Sequence, residues 1–267
     1  MKKAVSVLEV VEKKGKERIV MVTSYDFTMT RIIDASDVDI ILVGDSAGTV
    51  MAGAENTLSI TMDQMIYHTQ CVTAAKPKAL VIGDMPFLSY QTSSEDAVRN
   101  AGRFLKEAGC KAVKLEGGRR VIEQVRSIVK ADIPVMGHLG LTPQSVHAFG
   151  GHKIQGRGEH AVKRLMEDAL SLQDAGVFAI VLECVPGPVA KEITEALAIP
   201  TIGIGAGPCC DGQVLVIQDL LGLFKEFRPK FVKQYADLFD TIVDALDTYA
   251  SEVRQGVFPD DEHTFME

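Results

Sequence analysis

The chain has 267 residues, 46% of them hydrophobic and 24% charged, with a formal net charge of −8. That supplies apolar material for a large core at close to the usual length of one (β/α)8 barrel. The acidic balance argues against nucleic acid or an anionic membrane as partner, and no apolar run approaches the roughly 20 residues that span a bilayer.

In chain order, the residues before Ile19 read as a helix of the kind that plugs the bottom of a barrel. Its lysines are followed by charges from Glu9 onward, which break the apolar stretch a signal peptide needs, so a cytoplasmic protein is expected. Strands are expected at 19–23 and 40–43, then a helix at 61–75 with Ser59 as its cap. A strand at 79–82 leads to a helix at 94–107, opened by Ser-Glu-Asp and closed at Gly109. The alternation continues with strand 112–115, helix 119–130, strand 134–136, helix 159–174, strand 178–182, helix 189–197 and strand 201–204. The strand runs are almost continuously apolar, as in parallel strands covered on both faces. An eighth strand is read at 213–217, with 221–224 as the alternative. Residues 231–254 form an amphipathic helix expected to close the ring. Repeated βαβ units point to a barrel or a doubly wound sheet, and with no linker-like stretch the whole of 1–267 reads as one domain.

If the sheet closes, the chemistry belongs at the C-terminal ends of its strands. Those exits carry Asp45 and Ser46 after strand two, Asp84 after strand three, and Lys114 and Glu116 on strand four. Strand five carries His138 and strand six Glu183. One Asp after a strand is commonly a cap or a turn former. Ionisable groups on five neighbouring strands are not, because converging carboxylates repel unless a cation or a shared proton relieves them. Oxygen donors without a His/Cys cluster favour Mg2+ over Zn2+. The five cysteines are Cys71, Cys110, Cys184, Cys209 and Cys210; odd in number and scattered, they suggest no disulfide framework. GIGAG at 203–207 reads equally as a phosphate loop or as a tight strand exit. His68, His147, His152 and His160 read as surface or outer residues.

Taken together, GDSAG at 44–48, GDMPF at 83–87, KLEGG at 114–118, GHLGLTPQ at 137–144 and GIGAG followed by DGQVLV at 203–216 resemble the ketopantoate hydroxymethyltransferase family. The resemblance runs from TSYD at 23–26 to GVFPDDEH at 256–263. It implies a (β/α)8 TIM barrel with an extra N-terminal helix, assembled as a homo-oligomer, commonly a decamer. It further implies transfer of a one-carbon unit from 5,10-methylenetetrahydrofolate to 3-methyl-2-oxobutanoate, giving 2-dehydropantoate for pantothenate and coenzyme A synthesis. By motif position, Asp45 and Asp84 bind Mg2+ with Glu116 nearby through water, Ser46 and Lys114 hold the keto acid, His138 contributes to the pocket, and Glu183 is the base. The implied mechanism passes through an enolate stabilised by Mg2+. One departure is visible: Gln218 stands where the family commonly carries His. The neighbouring alternative is another Mg2+-dependent barrel, an aldolase or lyase acting on pyruvate-like keto acids. A more distant one is a non-catalytic barrel using GIGAG as an anion cradle.

Overall fold

Eight parallel strands close on themselves in sequence order: β1 (Ile19–Thr23), β2 (Ile40–Val43), β3 (Leu80–Asp84), β4 (Ala112–Glu116), β5 (Val135–Gly140), β6 (Ala179–Glu183), β7 (Thr201–Ile204) and β8 (Gly212–Leu215). The computed structural model describes residues 3–151, 153–225 and 228–266; His152 therefore lies outside the described residues. Helices α1 (Val7–Glu12), α2 (Phe27–Asp34), α3 (Ala47–Val50), α4 (Met62–Ala74), α5 (Ser94–Lys106), α6 (Ile122–Lys130), α7 (Val146–Phe149), α8 (Glu159–Asp174), α9 (Gly187–Ala196), α10 (Ile217–Leu221) and α11 (Leu238–Gln255) follow in order. The backbone divides into two compact units, residues 1–216 with the barrel and residues 217–267 with α10 and α11.

The barrel interior is built by a period of two. Ile40 and Leu42, Leu80 and Ile82, and Ala179 and Val181 all belong to one buried cluster. Residues two apart on a strand share a face, so each pair points inward. Continuing each count by two residues reaches Asp84 after Ile82, Glu183 after Val181, Lys114 and then Glu116 after Ala112, and His138 after Met136. The pattern that fills the core thus delivers charged side chains to the mouth. At the other end, α1 is fixed by a reciprocal capping box between Ser6 and Glu9, and its Val10 is fully buried in the same cluster. This is the expected extra N-terminal helix.

Closure sets β1 beside β8, with Ile19 opposite Gly212 and Met21 opposite Val214. A Cβ at Gly212 would lie 2.5 Å from the Ile19 carbonyl oxygen, so only glycine fits there.

Several boundaries differ from expectation, three of them with a visible physical cause. Thr61, not Ser59, caps α4, because Thr61 and Gln64 satisfy one another's backbone N–H groups while Ser59 ends a 3-10 turn. Strand eight is the earlier of the two readings: it runs Gly212–Leu215, and the alternative at 221–224 is excluded because Leu221 ends α10. It follows β7 without a helix, the short connection being held where Asp211 Oδ2 accepts from the Thr201 N–H at 2.9 Å and from Lys14 Nζ at 2.8 Å. The last helix begins at Leu238 rather than 231. The chain before it is diverted into bonds with the preceding turn, Tyr235 N donating to Leu220 O at 2.9 Å and Phe239 N to Gly222 O at 3.0 Å. Among the described residues no helix is long and apolar enough to cross a membrane.

Candidate active site

Strand register brings the charged residues together. Asp84 pairs in register with Lys114, Glu116 with His138, and Gly140 with Glu183. Asp45 sits outside this period, two residues past β2, and its placement comes from the turn. Its backbone N–H donates to Asp84 Oδ2 at 3.1 Å.

At the centre, Lys114 Nζ lies 2.8 Å from Asp84 Oδ1, with both side chains almost wholly buried. Asp45 and Glu116 are buried beside them, at 5% exposure each. Burial, Asp84 and Glu116 together hold the Asp45 carboxyl well above the usual carboxylate range, with Lys114 opposing. Burial likewise raises Asp84; Lys114 works against it and Glu116 with it. For Lys114, burial disfavours the ammonium, but Asp84, Glu116 and Asp45 outweigh it and hold its pKa above the ordinary value. Three buried carboxylates thus face one ammonium, an arrangement short of positive charge.

A second group lies one strand further round. His138 Nδ1 is 3.4 Å from Glu116 Oε1 and 3.3 Å from Lys114 Nζ, while its Nε2 is 3.2 Å from Glu183 Oε2. Burial and Lys114 both disfavour a charged His138; Glu116 and Glu183 prevail and raise it to about 9. A neutral ring receiving Lys114 at Nδ1 carries its proton on Nε2, so in either protonation state an N–H stands near Glu183 Oε2, though not aligned as a hydrogen bond. Glu183 is the more open of the acids, its side chain 16% exposed.

Three residues that sequence reasoning left without a role complete the cluster. Gln144 Nε2 donates to Asp45 Oδ2 at 2.9 Å and to the Met85 carbonyl at 3.0 Å, and the Gln144 N–H donates to Glu116 Oε2 at 3.0 Å. The hydroxyl of Tyr90, fully buried, donates to Gln144 Oε1 at 2.7 Å and accepts from the Glu116 N–H at 3.1 Å. Tyr25 shares a 2.8 Å hydrogen bond with Ser46 Oγ, and its own carbonyl lies 2.9 Å from His68 Nδ1. Gln144 stands inside the GHLGLTPQ stretch and Tyr25 inside TSYD, so the motifs held a signal for both; Tyr90 carries none and acts from a loop.

The structure thus brings Asp45, Asp84, Lys114, Glu116, His138 and Glu183 into one chain of contacts, with Ser46 at its edge. GIGAG belongs to a tight exit: a Cβ on Gly207 would lie 3.1 Å from the Gly187 Cα, where the start of α9 passes. Gln218 is the second residue of α10. All five cysteines are free; Cys110 is buried and Cys71 half-buried. Among the described residues no three His, Cys, Asp or Glu side chains are spaced as a ready-made metal cage. The donors fit a hard ion that keeps its waters and takes only one or two carboxylates, which is how Mg2+ is held, and they do not suit zinc.

The chain matches the ketopantoate hydroxymethyltransferase family model over residues 4–261. It is 59% identical over 258 residues to a 3-methyl-2-oxobutanoate hydroxymethyltransferase of Moorella thermoacetica, covering 97% of this chain and 96% of that one. It is 56% identical over 254 residues to the enzyme of the same name from Syntrophomonas wolfei subsp. wolfei, covering 95% and 92%. Among solved structures it resembles 2,3-dimethylmalate lyase, a PEP mutase/isocitrate lyase superfamily member, with a TM-score of 0.63 at 16% identity over 100% of this chain and 93% of that one. Phosphonopyruvate hydrolase in complex with oxalate and Mg++ also has a TM-score of 0.63, at 9% identity over 97% and 93%. At these identities the two structures speak for the barrel alone. The sequence matches speak for more: the chain belongs to the ketopantoate hydroxymethyltransferase family and is a hydroxymethyltransferase enzyme.

Proposed function

We propose that this enzyme transfers a hydroxymethyl group from 5,10-methylenetetrahydrofolate to 3-methyl-2-oxobutanoate, forming 2-dehydropantoate in the cytoplasmic route to pantothenate and coenzyme A. The observation that carries the reading is the buried cluster of Asp45, Asp84 and Glu116 around Lys114, with Glu183 one strand away. Asp45 and Asp84 would hold Mg2+, with Glu116 as the third carboxylate beside them. Bound there, Mg2+ would supply Lewis acidity that makes the keto acid's C3 hydrogen more acidic. Ser46, braced by Tyr25, and Lys114 bind and orient the keto acid. Glu183 takes the C3 proton on a carboxylate oxygen, with the His138 ring 3.2 Å from that carboxylate. Lys114 offsets the negative charge that develops on the substrate, inside a buried site where such pairing is strong. The carbon nucleophile then attacks the folate's methylene carbon; both of that carbon's bonds to folate nitrogen break, water supplies the hydroxyl oxygen, and tetrahydrofolate takes up the protons and leaves. Purified enzyme with Mg2+, keto acid and 5,10-methylenetetrahydrofolate should form 2-dehydropantoate, and omission of the folate should stop it. Keto-acid turnover without folate would instead identify a lyase.

Gln144 bridges Asp45, Glu116 and Tyr90, so it positions the metal-holding carboxylates. Gln144→Ala should weaken Mg2+ binding about 10- to 100-fold, read by calorimetric titration. An unchanged affinity would reduce Gln144 to a packing residue.

The enzyme is a homo-oligomer in this reading. Helix α11 has no buried residue, and Ile242, Leu246, Tyr249 and Val253 leave an apolar stripe along it, Leu246 being 60% exposed. A second copy of the chain covers that stripe. Sedimentation should give several times the protomer mass, and Leu246→Glu should shift the distribution to smaller species. A monomeric wild type contradicts the assembly.

A further inference from the structure

A cavity of about 650 Å3 opens beside the exits of β4 and β5, walled by the first turns of α8 and the segment around Gln155. Its volume falls in the range of small-molecule sites, roughly 300–1,000 Å3. Asp45, Asp84 and Lys114 do not line it, so it is room additional to the cluster described above. Glu183 does not line it either, but two of its lining residues, Gly140 and Gln155, pack against the backbone at Glu183 and Cys184. Gly140 is part of its lining and pairs in register with Glu183, and a Cβ on Gly140 would collide with the Glu183 carbonyl. Gln155 N donates to the carbonyl of Cys184, the next residue, at 3.0 Å.

The lining has three chemical parts. Leu139, Phe149 and Leu165 give it apolar surface. Thr142 is 3% exposed, and its hydroxyl has no hydrogen-bond partner, an unmet polar group in the wall. Arg119, Arg120 and Arg164 supply charge. Arg119 is committed to Glu167 at 2.8 Å and Asp168 at 2.9 Å, and that pairing neutralises Asp168, the one carboxylate in the lining. Arg120 and Arg164 are exposed and have no ion-pair partner among the described residues. Two uncompensated guanidinium groups at a half-apolar cavity select a flat, largely apolar ligand that ends in carboxylates.

We propose that this cavity is the subsite of the folate donor. The ring system lies against the apolar wall and Thr142, its one-carbon unit is directed toward Glu183, and its glutamyl carboxylates lie against Arg120 and Arg164. This assignment rests on the reaction proposed above.

The test is steady-state kinetics of the full-length enzyme with monoglutamyl and triglutamyl 5,10-methylenetetrahydrofolate. Arg120→Gln and Arg164→Gln should each raise the donor KM about three- to tenfold, with the effect on KM rather than kcat. The wild type should prefer the triglutamyl donor and the double variant should lose that preference, a readout that a merely structural role would not move; a wild type without the preference contradicts the arginine contacts. Ala161→Phe, at a half-buried cavity-lining position, should raise the KM for both donors. Wild-type turnover with KM and tail preference unmoved in all three variants overturns the subsite alone. Wild-type protein that makes no product from either donor overturns the reaction and the subsite together.

Discussion

Glu183→Gln is expected to stop exchange of the keto acid's C3 hydrogen with heavy water and to lower turnover about 100- to 10,000-fold, while Mg2+ and keto acid still bind. Glu183 closes β6, so its side chain follows Ala179 and Val181 around the inward face of the barrel and arrives at the mouth. The side chain is 16% exposed, and Oε2 stands 3.2 Å from His138 Nε2. An amide of the same shape occupies the same place beside that imidazole, so the pocket's geometry persists and only the proton acceptor is lost. Proton NMR of the keto acid in deuterated buffer reads the exchange directly. Exchange at the wild-type rate in Glu183→Gln would remove Glu183 as the base.

Asp84→Asn should act on the metal and on the fold at once. It removes one of the two carboxylates assigned to Mg2+ and the negative charge that stands 2.8 Å from Lys114, whose side chain is 4% exposed. Leaving one partner of a buried pair uncompensated costs about 3–5 kcal/mol; Asp45 and Glu116 still face the ammonium, so a loss near the lower end is expected. Urea unfolding with and without Mg2+ separates the effects. Wild-type enzyme should gain stability with Mg2+ by mass action. Asp84→Asn should start lower and gain little. An equal gain in both proteins would show that the ion binds elsewhere.

What could be seen in the sequence depended on periodicity. Asp84, Lys114, Glu116, His138 and Glu183 lie on strands whose apolar runs mark both their position and their inward phase, so strand exits alone gathered them. Asp45 was found because it follows β2 at once in a glycine-flanked turn. Tyr25, Tyr90 and Gln144 were missed because they reach the cluster from connecting segments, where no repeat fixes direction and only the folded chain sets distance. Strand eight was ambiguous for a related reason: β7 and β8 are joined without a helix, and the tie that fixes their connection is a side-chain bond from Asp211. The arginine-lined cavity was equally invisible, since Arg120 and Arg164 come from separate connections and look like ordinary surface charges along the chain.

The assignment of Asp45 and Asp84 is tested most directly by a crystal structure of the enzyme with Mg2+ and 3-methyl-2-oxobutanoate bound. The expected result is the ion on Asp45 and Asp84, with the keto acid between it and Glu183, in reach of Ser46 and Lys114. An ion found away from both aspartates would contradict it.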